Sequence, residues 1–486
     1  MGSLQQEIIK MKNQERRAKN EADKKRFEQK DKLYRDKQQY KADNSLELHI
    51  GLDFGTSYIK ACVRDLGAEE SVGIRLFKKT DGFFPVRIAL DRTTGSISFA
   101  EQEQEAAGDV IIIEYLKMIL ADMEAPSRPD LTMEDIEAVT LWMLVKLILE
   151  IKKRFKFQEE KRCRGRNLKW TGVSLGIPAE YIGSPIERRF ERLITFALFI
   201  TKTELQKRFE NTIASSKEHF SALNDKPMSS LADDDEPVFV YPEIVAAIHS
   251  FVYNRDMREG YHAYFDIGGG TLDGIVFDYI DVDGQKNIDV LTAKVDSLGI
   301  EKACTALLDE PAKEPNLKNN LIKLKAQVFN NDGVPSRAEV SLSLNTSDPA
   351  KQIKQHIAKV IFPIKNKDRL GRLNHQDSIP LFIGGGGAAS PWYVDKIERT
   401  YKDHKHDRCG MPPYKERKIE RVPDLTMPGN SDSVYRFLIA YGLSFPPDES
   451  IRIVGLSSQH GNDMRELKYK ESDRDTIAMN KYGETI

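Results

Sequence analysis

From Ser45 to Asp53 the chain reads SLELHIGLD, with apolar and polar positions alternating one for one, the period of a half-buried strand. Further strand signals follow at 57–64, 72–77, 86–90 and 96–99. The period then lengthens, and 109–122 and 132–156 read as helices. A strand at 171–177 ends in Pro178, and helices are expected at 184–200 and 203–222. The stretch Met228 to Pro237 (MSSLADDDEP) reads as an acidic surface loop. A helix over 242–255 precedes a hairpin-like pair, 261–267 and 273–280. A strand signal at 288–296 leads to helices near 299–309 and 317–329. A strand at 380–383 runs into four glycines, Gly384 to Gly387, and a helix starts near 390. Residues 404–432 look irregular, and a last helix lies near 432–443. Strands come first, then helices, and that order begins again near 261. The pattern predicts an α/β protein of two related lobes rather than one doubly wound sheet.

Residues 1–44 do not fit this pattern. They hold 13 Lys and Arg against 8 Asp and Glu, no proline, and only Gly2 among glycines. Leu4, Ile8, Met11, Ala18, Ala22 and Phe27 make a thin apolar seam of weak heptad spacing. This reads as a charged helix, either solvated and fraying or docked on a protein partner or an anionic surface.

Composition narrows the class. The 486 residues exceed one small core. Charged residues make up 30% and hydrophobic ones 40%, and the net charge of −2 gives no global attraction to nucleic acid or membrane. Cys62, Cys163, Cys304 and Cys409 are scattered without CxxC spacing, which suits a reducing cytoplasm. No signal peptide is evident. No run approaches the length of a transmembrane helix; the richest, Trp142 to Ile151, is broken by Lys146 and Glu150.

The candidate chemistry sits in two segments, IGLDFGTSYIKACVRD (50–65) and YFDIGGGTLDGIVFD (264–278). Each reads strand, Asp-x-Gly, small residues, strand. Three glycines in mid-sheet weaken a strand. At a hairpin tip they let consecutive N–H groups form a nest for an anion such as phosphate. The aspartate closing each first strand would repel phosphate but suits Mg²⁺ held through water. Two such hairpins facing each other would bracket a polyphosphate. A GxxxxGK[ST] loop is absent, and neither hairpin opens a helix as a dinucleotide fingerprint does.

Together these segments resemble the actin/Hsp70/sugar-kinase ATPase superfamily. Asp53-Phe54-Gly55-Thr56-Ser57 and Asp266-Ile267-Gly268-Gly269-Gly270-Thr271-Leu272-Asp273 are similar to its two phosphate loops. Phe382 to Gly387 is similar to its adenosine loop. The Hsp70 branch is nearest: VSLGIPAEY (173–181), Tyr241 to Ala247, and YRFLIAYGLSF (435–445) resemble further motifs of that branch. The resemblance implies the two-lobed actin-like ATPase fold, duplicated ribonuclease-H-like domains. Lobe I would span 46–255 and lobe II 256–445, between the charged helix at 1–44 and a short tail at 446–486.

It also implies residue roles. Asp53 and Asp266 would position Mg²⁺ and its waters. Gly55, Thr56, Ser57 and Tyr58 would bind the β/γ-phosphates, faced by Gly268, Gly269, Gly270 and Thr271, with Thr271 also orienting the attacking water. Glu243 would link the lobes and polarise water. Lys117, in IEYLKMIL, would reach the γ-phosphate, where positioning and electrostatics do most of the catalysis. On its own sequence Lys117 could equally be a snorkelling lysine on an amphipathic helix, and Glu243 a first-turn acid. Gly384, Gly385, Gly386 and Gly387 would bind the nucleoside. The family's two adenine-clamping arginines are missing: the first helix keeps only Lys325, and no arginine follows Gly387 in Ala388-Ala389-Ser390-Pro391-Trp392. The 41 residues at 446–486 are too few for the family's substrate domain and lid. His404-Lys405-His406-Asp407-Arg408-Cys409 can ligate metal but lacks a second ligand pair, and Lys152 to Arg166 reads as a solvated basic helix end.

The expectation is therefore a cytoplasmic ATP-binding protein, a slow Mg²⁺-dependent ATPase that works as a conformational switch for a protein partner. The alternatives are an actin-like filament-forming ATPase, a small-molecule kinase of the same fold, and a non-hydrolysing nucleotide sensor.

Overall fold

In the computed structural model the described residues are 45–454, excluding 77–82, 101–107, 124, 126–128, 234, 253–256, 283–284, 306–347, 369–370, 419–421, 429–433 and 447–450. The charged segment 1–44, the expected helix at 317–329 and Lys325 lie outside them.

The structure is mixed α/β, built on two sheets. The first begins with β1 (Ser45–Phe54), β2 (Tyr58–Asp65) and β3 (Glu70–Gly73), paired antiparallel in turn. A short β4 (Phe84–Pro85) adds to β2, and β5 (Ile88–Asp91), β6 (Ile97–Phe99) and β7 (Val110–Ile113) form a small antiparallel sheet. Helices α1 (Leu116–Leu120) and α2 (Met133–Gln158) follow. Next, β8 (Asn167–Ile177) joins β1 in parallel, α3 (Pro185–Lys202) and α4 (Ile213–Asn224) cross over, β9 (Val238–Pro242) joins β8 in parallel, and α5 (Glu243–Val252) leaves the sheet.

The second sheet repeats this plan. Strands β10 (Gly260–Ile267), β11 (Leu272–Val282) and β12 (Gln285–Asp296) pair antiparallel, and the short helix α6 (Ile300–Thr305) follows. Helix α7 (Asp348–Ile361) precedes β13 (Ile379–Gly384), parallel to β10. Helix α8 (Pro391–Asp403) precedes β14 (Tyr414–Glu416), parallel to β13. The order β3-β2-β1-β8-β9 thus matches β12-β11-β10-β13-β14 in sequence and in sense. Each sheet gains a parallel edge strand from the C-terminal part of the chain: β15 (Leu425–Thr426) on β3 and β16 (Ile451–Val454) on β12. Helix α9 (Leu438–Leu443) lies between β15 and β16 in the chain.

Local sequence explains the elements. Thr132 caps α2 and exchanges hydrogen bonds with Asp135, a capping box. Ser184 caps α3, with Pro185 at the first helical position. The helix expected at 109–122 is instead β7 followed by α1. The β-branched run Val110-Ile111-Ile112-Ile113 pairs with β5, and Tyr115, at φ 57°, turns the chain into α1. The helix expected at 203–222 is split, because Thr212 caps a new start and accepts from the Ser215 N–H. The acidic stretch opens with one helical turn, Met228–Leu231. The irregular stretch 404–432 supplies β14 and β15, too short to show a period, and the tail beyond 446 supplies β16.

The first sheet buries one core with α2 and α3, and the second another with α7 and α8. A third core joins them. It gathers Cys62 of β2, Ile275 and Phe277 of β11, the apolar face of α5 and most of α9. Backbones approach closely there: a methyl group on Gly442 would lie 1.7 Å from the Ala246 carbonyl oxygen. Among the described residues no helix is long and apolar enough to cross a membrane.

Gly442→Ala is expected to lower unfolding free energy by about 1–3 kcal/mol or more, since α5 and α9 must part to admit the methyl group. Urea unfolding checks this; an unchanged midpoint would show that the helices separate freely.

Candidate functional site

The two sheets bring their glycine hairpins face to face. In the first, the turn Gly55-Thr56-Ser57 joins β1 to β2, with Asp53 paired across the ladder to Lys60. In the second, Gly268 to Thr271 joins β10 to β11, with Asp266 paired to Asp273. The tips touch: a methyl group on Gly269 would stand 2.1 Å from Ser57 Oγ, and one on Gly270 would stand 2.9 Å from Thr56 Cγ2. Only glycine permits this approach.

Hydrogen bonding fixes how the second tip is turned. The carbonyls of Gly268, Gly269 and Gly270 accept from the N–H groups of Ile300 (3.1 Å), Glu301 (2.8 Å) and Gly299 (3.1 Å). In a planar trans peptide the next N–H points opposite to the carbonyl. The N–H groups of Gly269, Gly270 and Thr271 therefore turn away from α6 as a consecutive set, the geometry of an anion nest.

A cavity of about 480 Å³ opens beside the tips. Asp53, Gly55, Thr56, Ser57 and Tyr58 line it from the first hairpin, and Asp266, Gly268, Gly269 and Thr271 from the second. Lys117 enters from α1, Glu243 from the start of α5, and Gly385 and Gly386 from the turn after β13. Gly270, Gly384 and Gly387 do not line it: Gly384 packs on Tyr264 and Gly387 on Ile267. Gly385 holds a φ of 77°, a backbone angle that suits glycine.

Four of the charges in the cavity form two ion pairs. Lys117 Nζ donates to Glu243 Oε1 at 2.5 Å, and Lys60 Nζ donates to Asp53 Oδ2 at 2.5 Å. Tyr264 donates its hydroxyl to Asp266 Oδ1 at 3.1 Å, and Ser57 donates to Glu301 Oε1 at 2.8 Å across the cleft. Lys117 is buried, not on the surface. Burial alone would lower its pKa, but Glu243, Asp53 and Asp273 outweigh burial and raise it, so the ammonium stays charged. Burial pushes the Glu243 carboxyl up to about 7; Lys117 opposes this, while Asp53 and Asp266 reinforce it. Burial likewise pushes Asp266 up, with Lys60 its strongest opposing influence.

Several lining residues carry no forecast role. Lys60 and Asp273 each stand seven residues after their hairpin's first aspartate, so hairpin register counted along the sequence would have flagged them. Arg87, paired with Glu114 at 2.7 Å, comes from a segment with no motif, and Arg436, whose guanidinium lies 3.5 Å over the Phe83 ring, belongs to YRFLIAYGLSF (435–445) without a role assigned there. Arg436 brings an arginine beside the glycine turn, although none follows Gly387 in Ala388 to Trp392. Ser390, before α8, lines the cavity with its hydroxyl buried and no hydrogen-bond partner among the described residues.

These features fit a nucleotide with a polyphosphate: a nest of N–H groups, buried cations, and a buried hydroxyl awaiting a polar partner. The fit to a divalent metal is poorer. Lys60 already bonds one of the two Asp53 oxygens, Oδ2, and no cluster of three or more acidic, His or Cys groups suited to a metal occurs among the described residues. In the motif at 404–409, the ring of His406 bonds to the Tyr414 hydroxyl. No protein-family model matches the chain.

Glu243 makes stability depend on pH. Its folded-state pKa is raised from 4.5 to about 7, so its contribution is complete below pH 4.5 and is lost as pH climbs to 7. Over that window the native protein should lose up to about 3 kcal/mol relative to Glu243→Gln. Urea unfolding of both at several pH values tests this; parallel curves would mean that Glu243 is ionised throughout.

Proposed function

We propose that the chain is an ATP-binding protein with the two-lobed actin-like ATPase fold, a slow ATPase whose lobe closure signals to a protein partner. The observation that carries this reading is the meeting of the two glycine hairpins, Asp53 to Tyr58 and Asp266 to Thr271, beside one buried cavity. The matching strand orders of the two sheets support the duplicated fold. In this reading the N–H groups of Gly269, Gly270 and Thr271 and the hydroxyls of Thr56 and Ser57 hold the β- and γ-phosphates. The nucleoside lies toward Gly385, Gly386 and Ser390. The charged segment 1–44 is the candidate contact for the partner.

Hydrolysis would use the Lys117–Glu243 pair. Lys117 stabilises charge on the transferring phosphoryl group, where fixed cations act most strongly in a dry site. Glu243, with a carboxyl pushed toward neutrality, takes a proton from the attacking water that the Thr271 hydroxyl orients. The same ion pair explains a slow rate. Lys117 must loosen its 2.5 Å contact with Glu243 to serve the phosphate. Ser57, held by Glu301 from the opposite sheet, reports closure, since phosphate in the cleft competes for its hydroxyl. Such exchange of contacts at a lobe interface is how a bound phosphate biases a two-state hinge.

Lys117→Ala should cut phosphate release by about 10²–10³-fold while ATP affinity, by calorimetry, changes less than about tenfold. Equal turnover in the two proteins would remove Lys117 from the chemistry. No heat of binding and no ATP-induced rise in melting temperature for the native chain would sink the nucleotide reading itself.

A further inference from the structure

The two hairpins set their aspartates at matching places, but the residues opposite them differ. Across the first ladder Asp53 faces a lysine, Lys60, while across the second Asp266 faces another acid, Asp273. Lys60 is tucked in, with 13% of its side chain exposed, and its ammonium bonds Asp53 Oδ2 at 2.5 Å. The same ammonium lies 3.7 Å from the point where a side chain on Gly55 would begin. Its charge is also the strongest influence opposing the upward push of burial on Asp266. The lysine thus stands among Asp53, Asp266 and the turn of the first hairpin. A divalent cation serving both aspartates would need that place.

We propose that Lys60 is a built-in cation that takes the place of a protein-held divalent metal between Asp53 and Asp266, so that a nucleotide binds in this cleft without one. This rests on the nucleotide reading above. The chemistry agrees. Mg²⁺ keeps several of its waters, and holding it at Asp53 requires a carboxylate oxygen free to accept from one of them. Here one of the two Asp53 oxygens, Oδ2, accepts from Lys60, so a hydrated dication held at the other would sit next to the ammonium. Placing a dication beside an ammonium in a poorly solvated cleft is costly. Nor does the cleft lack positive charge: the lysines and arginines that line it equal its carboxylates, four against four. Asp273 shows the asymmetry. Without Lys60, three cations would remain for three aspartates and Glu243, and Asp53 would lose its bonded partner, the place a divalent ion could fill.

The test measures ATP binding by calorimetry in excess Mg²⁺ and in EDTA, and Mn²⁺ binding without nucleotide by electron paramagnetic resonance. For the native protein the two ATP affinities should agree within about threefold, and Mn²⁺ alone should not bind the cleft. Lys60→Met should bind ATP at least about tenfold more weakly in EDTA than in Mg²⁺, and should acquire Mn²⁺ binding that Asp53→Asn removes. Lys60→Arg should behave as the native protein. Native protein that binds ATP only with Mg²⁺, or Mn²⁺ at Asp53 with Lys60 intact, overturns the proposal and leaves the nucleotide reading standing. Absence of ATP binding in both conditions overturns both. If Lys60→Met does not fold, the native measurements alone decide.

Discussion

Burying several carboxylates in one cleft costs several kcal/mol each unless cations come with them. Much of this structure depends on how that constraint is met. Asp53 and Asp266 end the central strand of each sheet, and Glu243 starts the helix between the sheets. Lys60 and Lys117 come to them from β2 and α1. Removing either lysine leaves an uncompensated charge inside the joint between the two sheets. Ser57 reaching Glu301 adds a neutral hydroxyl to that joint.

The constraint also orders the backbone. The hairpin tips meet only because Gly269 and Gly270 carry no side chain. The α5–α9 crossing is close only because Gly442 does not either. The first contact lies in the cleft and the second on the shared core behind it. The Gly442 crossing packs against Ala246, and Gly51 of β1 packs against Ala440 and Ser444 beside it, so close backbone contacts flank the cavity on two sides.

Much of the fold was legible from periodicity. The alternation at Ser45 to Asp53, the long helix ending near 156, the hairpin at 261–280 and the strand before Gly384 all appear close to where the pattern puts them. The failures have particular causes. Val110 to Ile113 looked helical because its neighbours have a helical period, but four β-branched residues prefer a ladder, and β5 supplied one. The strands β14, β15 and β16 are two to four residues long, too short to show any period, and exist because a sheet edge was open to them. Lys117 could be read as a snorkelling lysine because 109–122 looked like one amphipathic helix; the helix is only Leu116–Leu120, and all five residues are buried.

The sequence by itself determined the two hairpins, their aspartates and their glycines, because turn chemistry is local: Asp-x-Gly followed by small residues specifies a tight tip whatever surrounds it. It also determined that the plan occurs twice. Only the tertiary structure decided what those tips face. That Lys60 sits on Asp53, that Lys117 pairs with Glu243 across 126 positions, and that Arg436 reaches the glycine turn depend on contacts between elements far apart in the chain. Charge pairing in a buried site is a property of distances, and distances between sheets are not written in the spacing of residues along one.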